Sequence, residues 1–137
     1  MFHIEPTEYG FRVTSTGSFT LDDVRRLKTD LLDMLARYNR PFSLVIDARK
    51  MVLPKPEVVK TFTELHAAVW KLKCQRVAFI LESPLSKRQV VQMHYAAAPH
   101  AEERFINALQ YPDWEARAEA WAAHAVEPER DQKLERA

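Results

Sequence analysis

Glycine is almost missing from this chain: its 137 residues include two, Gly10 and Gly17. Sites that bring several backbone N–H groups onto a phosphate, or set a nucleophile on a sharp strand-to-helix turn, need glycines in close spacing. The P-loop, the dinucleotide-binding fingerprint and the nucleophile elbow are therefore excluded. Cysteine is scarcer still. Cys74 stands alone, so no internal disulfide can form, and the expected location is a reducing compartment, the cytoplasm. Long apolar runs are lacking as well. The N-terminus Met1-Phe2-His3-Ile4-Glu5-Pro6 is too polar for a secretory signal, and runs such as Val77-Ala78-Phe79-Ile80-Leu81 fall far short of the ~20 residues that span a bilayer. The expectation is a soluble or at most membrane-peripheral protein with no transmembrane segment.

Charge of one sign is not in excess. Twenty Lys and Arg against nineteen Asp and Glu leave a net charge of +1, too little for the electrostatics that dominate nucleic-acid affinity. The charge is uneven, with fourteen basic and eight acidic groups in residues 21–90 but five and nine in residues 101–137. A solvated surface accounts for that asymmetry as well as a steered partner does. What is present is ordinary for a folded domain: 47% hydrophobic and 28% charged residues, enough for one core. Residues 1–125 read as a single domain, and the charged stretch 126–137 as a disordered tail.

Phe2 and Ile4, then Phe11 and Val13, alternate with polar neighbours around Tyr9-Gly10, predicting a hairpin with one solvated face. Thr20-Leu21-Asp22-Asp23 has the pattern of a capping box. Val24, Leu27, Leu31, Leu35 and Tyr38 follow as one apolar helical stripe that stops at Asn39-Arg40-Pro41. Phe42-Ser43-Leu44-Val45-Ile46 and Val77 to Leu81 are nearly continuous apolar segments, as in strands covered on both faces. Between them, Pro54 and Pro56 suit a helix start, and Val58, Phe62, Leu65, Val69 and Leu72 predict a helix to about Lys73. A third helix is expected over residues 86–98 with Ser86 and Gln89 in capping-box register. A short strand Arg104-Phe105-Ile106-Asn107 and a last helix capped by Pro112-Asp113 complete the chain. The order β-β-α-β-α-β-α-β-α predicts an α/β domain with a mixed, mostly parallel sheet, an N-terminal hairpin to one side and helices packed on it.

This order resembles the STAS domain, the module of anti-sigma-factor antagonists and sulphate-transporter tails, and more closely the SpoIIAA-like proteins grouped with it. The likeness is carried by Thr20-Leu21-Asp22-Asp23-Val24, by Leu44-Val45-Ile46-Asp47 ending in an acid, by Glu82-Ser83-Pro84, and by Arg104-Phe105-Ile106-Asn107 before the helix ending Ala118-Glu119-Ala120-Trp121. It spans roughly residues 1–125. The resemblance implies a non-enzymatic domain that binds a protein partner, a nucleotide or a lipid-like ligand where helices begin at the end of the sheet. The antagonists are switched by phosphorylation of a serine at the start of the helix after the central strand. Here residues 47–57 contain no Ser, Thr or Gly, and the first hydroxyl, Thr61, lies inside the helix. A phosphoswitch at that place is not expected.

In open α/β sheets ligands collect beyond the carboxyl ends of the parallel strands. The loop after the central strand offers Asp47, Arg49, Lys50 and Lys55, and the next offers Glu82, Ser83, Ser86, Lys87 and Arg88, residue types that could hold an anion, a phosphate or a lipid headgroup beside unpaired helix N–H groups. The plainer reading, and the favoured one, is that Ser83 and Ser86 cap a helix while the basic residues solvate a loop. His3, His66, His94, His100 and His124 include no pair at a metal-ligand spacing and Cys74 has no second thiol, so neither metal nor cofactor is expected. His66 and His94 fall near the apolar stripes and read as packed at a core margin. Trp70, Trp114 and Trp121 read first as core, the alternative being an exposed aromatic surface for a dimer or membrane-interface contact. The leading reading is a binding or regulatory module for a protein partner or a second copy. Its rivals are a small-molecule or lipid carrier and a hydrolase built around Ser83 or Cys74.

Overall fold

The computed structural model describes residues 1–128. Its elements are β1 (Phe2–Pro6), β2 (Gly10–Gly17), α1 (Leu21–Tyr38), β3 (Phe42–Met51), α2 (Pro56–Trp70), β4 (Cys74–Leu81), α3 (Pro84–Ala97), β5 (Glu103–Asn107) and α4 (Trp114–His124). The five strands lie in sequence order in one sheet. β1 pairs antiparallel with β2, and each later strand pairs parallel with the one before it. The α/β class, the hairpin and the mixed sheet are as the sequence predicts.

Three successive parallel connections step in the same direction across this sheet. Because such crossovers share one hand, their helices must fall on one face. α1, α2 and α3 do so. Their Leu27, Leu31, Leu35, Leu65 and Val69 pack with Phe11, Val13, Leu44, Val77, Phe79 and Leu81 from the strands. The opposite face of β3, β4 and β5, with Val45, Ala78, Ile80 and Ile106, is covered by Ala118, Trp121 and Ala122 of α4. β3 and β4 are thus buried on both sides, which is why their sequences run apolar without alternation.

Thr20 closes the capping box: its Oγ1 accepts from Asp23 N at 3.1 Å and its N–H donates to Asp23 Oδ2 at 2.8 Å. Gly10 has φ 146°, and a Cβ there would meet the Ser43 carbonyl oxygen at 2.3 Å, so only glycine lets β2 start this close to β3. Several boundaries differ from expectation. β3 continues to Met51, well past Ile46. α2 stops at Trp70, leaving Leu72 outside it and 36% exposed. α3 begins at Pro84, with Ser83 as the cap, because Ser83 Oγ accepts from Ser86 N at 3.3 Å. Asp113 precedes α4 without capping it, and its carboxylate instead takes Arg117 Nε at 2.8 Å. Of the expected tail, Glu127 is held by Arg104 at 2.8 Å, and residues 129–137 lie outside the described part.

Val45 is fully buried in the middle strand. Val45→Asp is expected to lose about 3–5 kcal/mol, a large share of the ~5–15 kcal/mol available to a domain. Urea unfolding followed by circular dichroism checks it; a cooperatively folded variant of wild-type midpoint would contradict the packing described.

Candidate functional site

The residues beyond the strand ends do not pool into one anion pocket. Asp47 and Arg49 turn toward α4. There Arg49 Nε and Nη2 each donate to the Asp47 carboxylate at 2.9 Å, and Arg12 Nη2 joins them at 3.2 Å while its Nη1 takes Glu115 at 2.7 Å. Burial pushes the Asp47 carboxyl up, but hydrogen bonds from the Arg49 side chain and backbone, aided by the charges of Arg49 and Arg12, outweigh it and hold the carboxyl below its ordinary range. Lys50, near the end of β3, pairs with Glu82, just after β4, at 3.2 Å. Ser83 is spent as a cap, and Lys55, Lys87 and Arg88 stand exposed.

The tryptophans are engaged. Trp121 is buried, donates from Nε1 to the Val77 carbonyl at 3.2 Å and carries Arg104 over its ring at 4.0 Å. Trp114 is half-buried under the Arg49 guanidinium at 3.9 Å. Trp70, also half-buried, packs against the main core. An exposed aromatic anchor needs free ring faces, and these are occupied.

An apolar concave feature lies under the helix layer. A cavity of about 120 Å3 runs between α1, α2 and α3 and the sheet, walled by Leu27, Leu31, Ile46, Leu65 and Phe79 among others, and reaches the surface beside Val52 and Leu53. Its cause is local. α3 buries a single residue, and that residue is His94, so Val90 and Met93 approach the core without filling it. Ser86 and Gln89 join the lining near the mouth.

The inner end of the cavity is polar. Glu103, the first residue of β5, is opposite Val77, which in turn is opposite Leu44; it therefore sits near the start of the strands, while Ala48 of the lining lies four residues further on, about 13 Å along the strand direction. The Glu103 side chain has no exposure. Trp70 Nε1 donates to its Oε2 at 2.9 Å, and His94 Nδ1 is bonded to its Oε1. His66 Nε2 lies 2.7 Å from Oε2 but forms no hydrogen bond. The His66 ring stacks on Phe79, and Phe79 on Phe105, which fixes the imidazole plane. His66 and Trp70 are four apart on α2, so one helical face presents both. The sequence pattern places both histidines near apolar stripes; the carboxylate that joins them was not among the expected site residues. The only sequence signal for it is an acidic residue directly before the short strand segment Arg104-Phe105-Ile106-Asn107.

Cys74 borders the same region. Burial, together with the nearby Glu103 charge, pushes its thiol up to about 12, the reverse of what an attacking thiolate needs.

This geometry was compared with known proteins. No protein-family model and no curated protein matches the sequence. Among solved structures the chain is similar to an uncharacterised protein of the DUF3478 family with a SpoIIAA-like fold from Shewanella loihica PV-4. The TM-score is 0.58 at 19% identity, over 83% of this chain and 91% of that one. The fold is SpoIIAA-like. At that identity the likeness carries architecture and topology, as the element order implied, and function must be argued from the site itself.

The Asp47 pairing has a pH signature. Its folded carboxyl titrates below the unfolded value of about 3.9, so the stabilisation is complete above about pH 5 and is lost as pH falls through the folded value. Asp47→Asn should lower stability at pH 7 by about 1–3 kcal/mol and flatten the dependence of the urea midpoint between pH 7 and pH 3. An unchanged acid slope would show that Arg12 and Arg49 do not stabilise the ionised carboxylate.

Proposed function

We propose that this SpoIIAA-like domain is a binding module, acting without catalysis, whose ligand is a small apolar molecule held between the helix layer and the sheet. The observation that carries this reading is the cavity, walled mainly by aliphatic and aromatic side chains and open at one end. Concave, mostly apolar space with few polar groups is the usual form of a small-molecule site. Its size sets the ligand class. An engineered apolar cavity of about 150 Å3 in another protein admits benzene, so the present volume suits one ring or a short branched chain, with any longer portion leaving through the mouth. This supports the carrier alternative over loops that hold a partner by charge, since Asp47, Arg49 and Lys50 are occupied by partners within the chain.

The loop after β3 favours a second reading in which the same end of the domain meets another surface. Val52 and Leu53 of the loop after β3 and Leu85 of the first turn of α3 are about half exposed or more, and exposed Lys55, before α2, and Lys87 and Arg88, in α3, flank them in sequence. Apolar side chains flanked by cations suit a protein partner or the interfacial zone of a membrane. No described helix is long and apolar enough to cross one. Neither Ser83, used as a cap, nor Cys74, with its raised thiol, supports a hydrolase.

Ala48 faces the cavity from β3. Ala48→Leu places three more carbons there and should raise the melting temperature by a few degrees, since filling an existing void stabilises by about 0.5–2 kcal/mol. It should also remove binding of a naphthalene-type fluorescent probe and any apolar mass retained in native mass spectrometry. Leu85→Asp, outside the cavity lining, should leave probe binding as in the wild type. Probe binding that survives Ala48→Leu but is lost in Leu85→Asp would place the ligand on the surface and overturn the cavity reading.

A further inference from the structure

The polar end of the cavity has an electrostatic problem that its own hydrogen bonds do not solve. Glu103 is fully buried, and an isolated carboxylate there would be strongly destabilised. Trp70 supplies one N–H to Oε2 and His94 one contact to Oε1. His66 supplies none: its Nε2 is buried, within 2.7 Å of Oε2, and has no hydrogen-bond partner. With its lone pair on Nε2, the neutral ring would be a buried acceptor facing a carboxylate oxygen and without a donor; protonated, it would form an ion pair with that oxygen, in a geometry that makes no hydrogen bond. A protein rarely leaves such an atom unsatisfied, and a metal ion is one way to complete it.

The three donors are arranged for one. His66 Nε2, His94 Nδ1 and a Glu103 oxygen all lie within 4.8 Å of one another, and all three residues are buried. Ligands at about 2.0–2.2 Å from a common zinc ion sit roughly 3.3 Å apart in a tetrahedron, so a small outward step of the carboxylate would seat an ion among them. Trp70 then bonds a ligating carboxylate from outside the coordination sphere, the role such neighbours play around metal sites. His66 and Glu103 line the cavity while His94 does not, so a fourth position would face the cavity. We infer that His66, His94 and Glu103 form a divalent-metal site of two imidazoles and one carboxylate, suited to zinc, with its open position toward the apolar cavity. In chain order the ligands come from α2, α3 and β5, which is why no spacing motif announces them. The inference stands apart from the identity of the apolar ligand and needs no ligand to be bound.

The test is a Co2+ titration of the full-length protein after treatment with a chelator and its removal. The expected result is one equivalent bound with the intense visible absorption of a four-coordinate centre, displaced by one equivalent of Zn2+, and quenching of Trp70 fluorescence in step with it. A variant with His3, His100 and His124 all replaced by Gln should bind identically, excluding surface imidazoles. His94→Gln should abolish the absorption, and Trp70→Phe should weaken binding about 10–100-fold while retaining the spectrum. Absence of a single-site four-coordinate spectrum in the wild-type protein overturns the inference, whether or not the variants fold. So does a folded His94→Gln protein that binds as the wild type does. Ala48→Leu serves as the divider between readings: if it loses the apolar probe and keeps the metal, both stand, and if the wild-type protein binds the probe but no metal, only the metal site fails.

Discussion

Everything distinctive about this molecule follows from three crossovers that step one way across the sheet. Strands in the order β1-β2-β3-β4-β5 with parallel neighbours oblige α1, α2 and α3 to share one face, because the hand of the connection does not change. That face is crowded and the other is nearly bare, so α4 must return beneath β3, β4 and β5 to bury Val45, Ala78 and Ile80. Three helices over five twisted strands do not tile the surface evenly, and the misfit collects under the helix with the least to bury. α3 buries only His94, and there the cavity opens.

The cavity and the polar cluster are therefore one feature with two ends. At the mouth, β3 runs on to Met51 and the chain turns through Val52, Leu53 and Pro54 before α2 starts. At the floor, α2 and α3 reach past the aliphatic lining to put His66, Trp70 and His94 around Glu103. A carboxylate there ties the helix layer to β5 through its bonds to Trp70 Nε1 and His94 Nδ1 where packing alone is weak. The cost of burying it is met only if its partners are oriented, and the stack of His66 on Phe79 on Phe105 supplies that orientation from purely apolar contacts.

The framework was legible in the sequence because it rests on local signals. The capping box at Thr20, the apolar stripe Val24-Leu27-Leu31-Leu35 and the unbroken apolar runs of β3 and β4 each imply their element from a few neighbouring residues, and the order of elements implies the SpoIIAA-like topology. Boundaries were less legible where two chemistries compete for one residue. Ser83 and Ser86 both suit a cap, and Pro84 decides between them because a proline in the first turn lacks an N–H that would in any case be unpaired. The site was least legible. Asp47 and Arg49 look like free loop charges until Arg12, which is 35 residues from Asp47, closes on the carboxylate. Glu103 joins His66 and His94 only after α2, α3 and β5 have packed. Such pairs have no period and no motif, and only tertiary structure brings them together.

One departure from the pattern that the element order resembles lies at the rim of the cavity. In the anti-sigma antagonists, whose order of elements the chain resembles, a serine at the start of the helix after the central strand takes a phosphate. Here that stretch has no hydroxyl, and its place is held by Val52, Leu53 and Pro54 at the rim of the cavity. The two cations nearest the end of β3 are also engaged, Arg49 with Asp47 and Lys50 with Glu82, while Lys55, Lys87 and Arg88 stand exposed. The same position in the fold thus has apolar side chains and an opening where a phosphoswitch would require a hydroxyl. Under the proposed reading, the input at this end of the sheet is the arrival of a small apolar molecule, and what it changes is the packing of α3, the helix that buries only one residue.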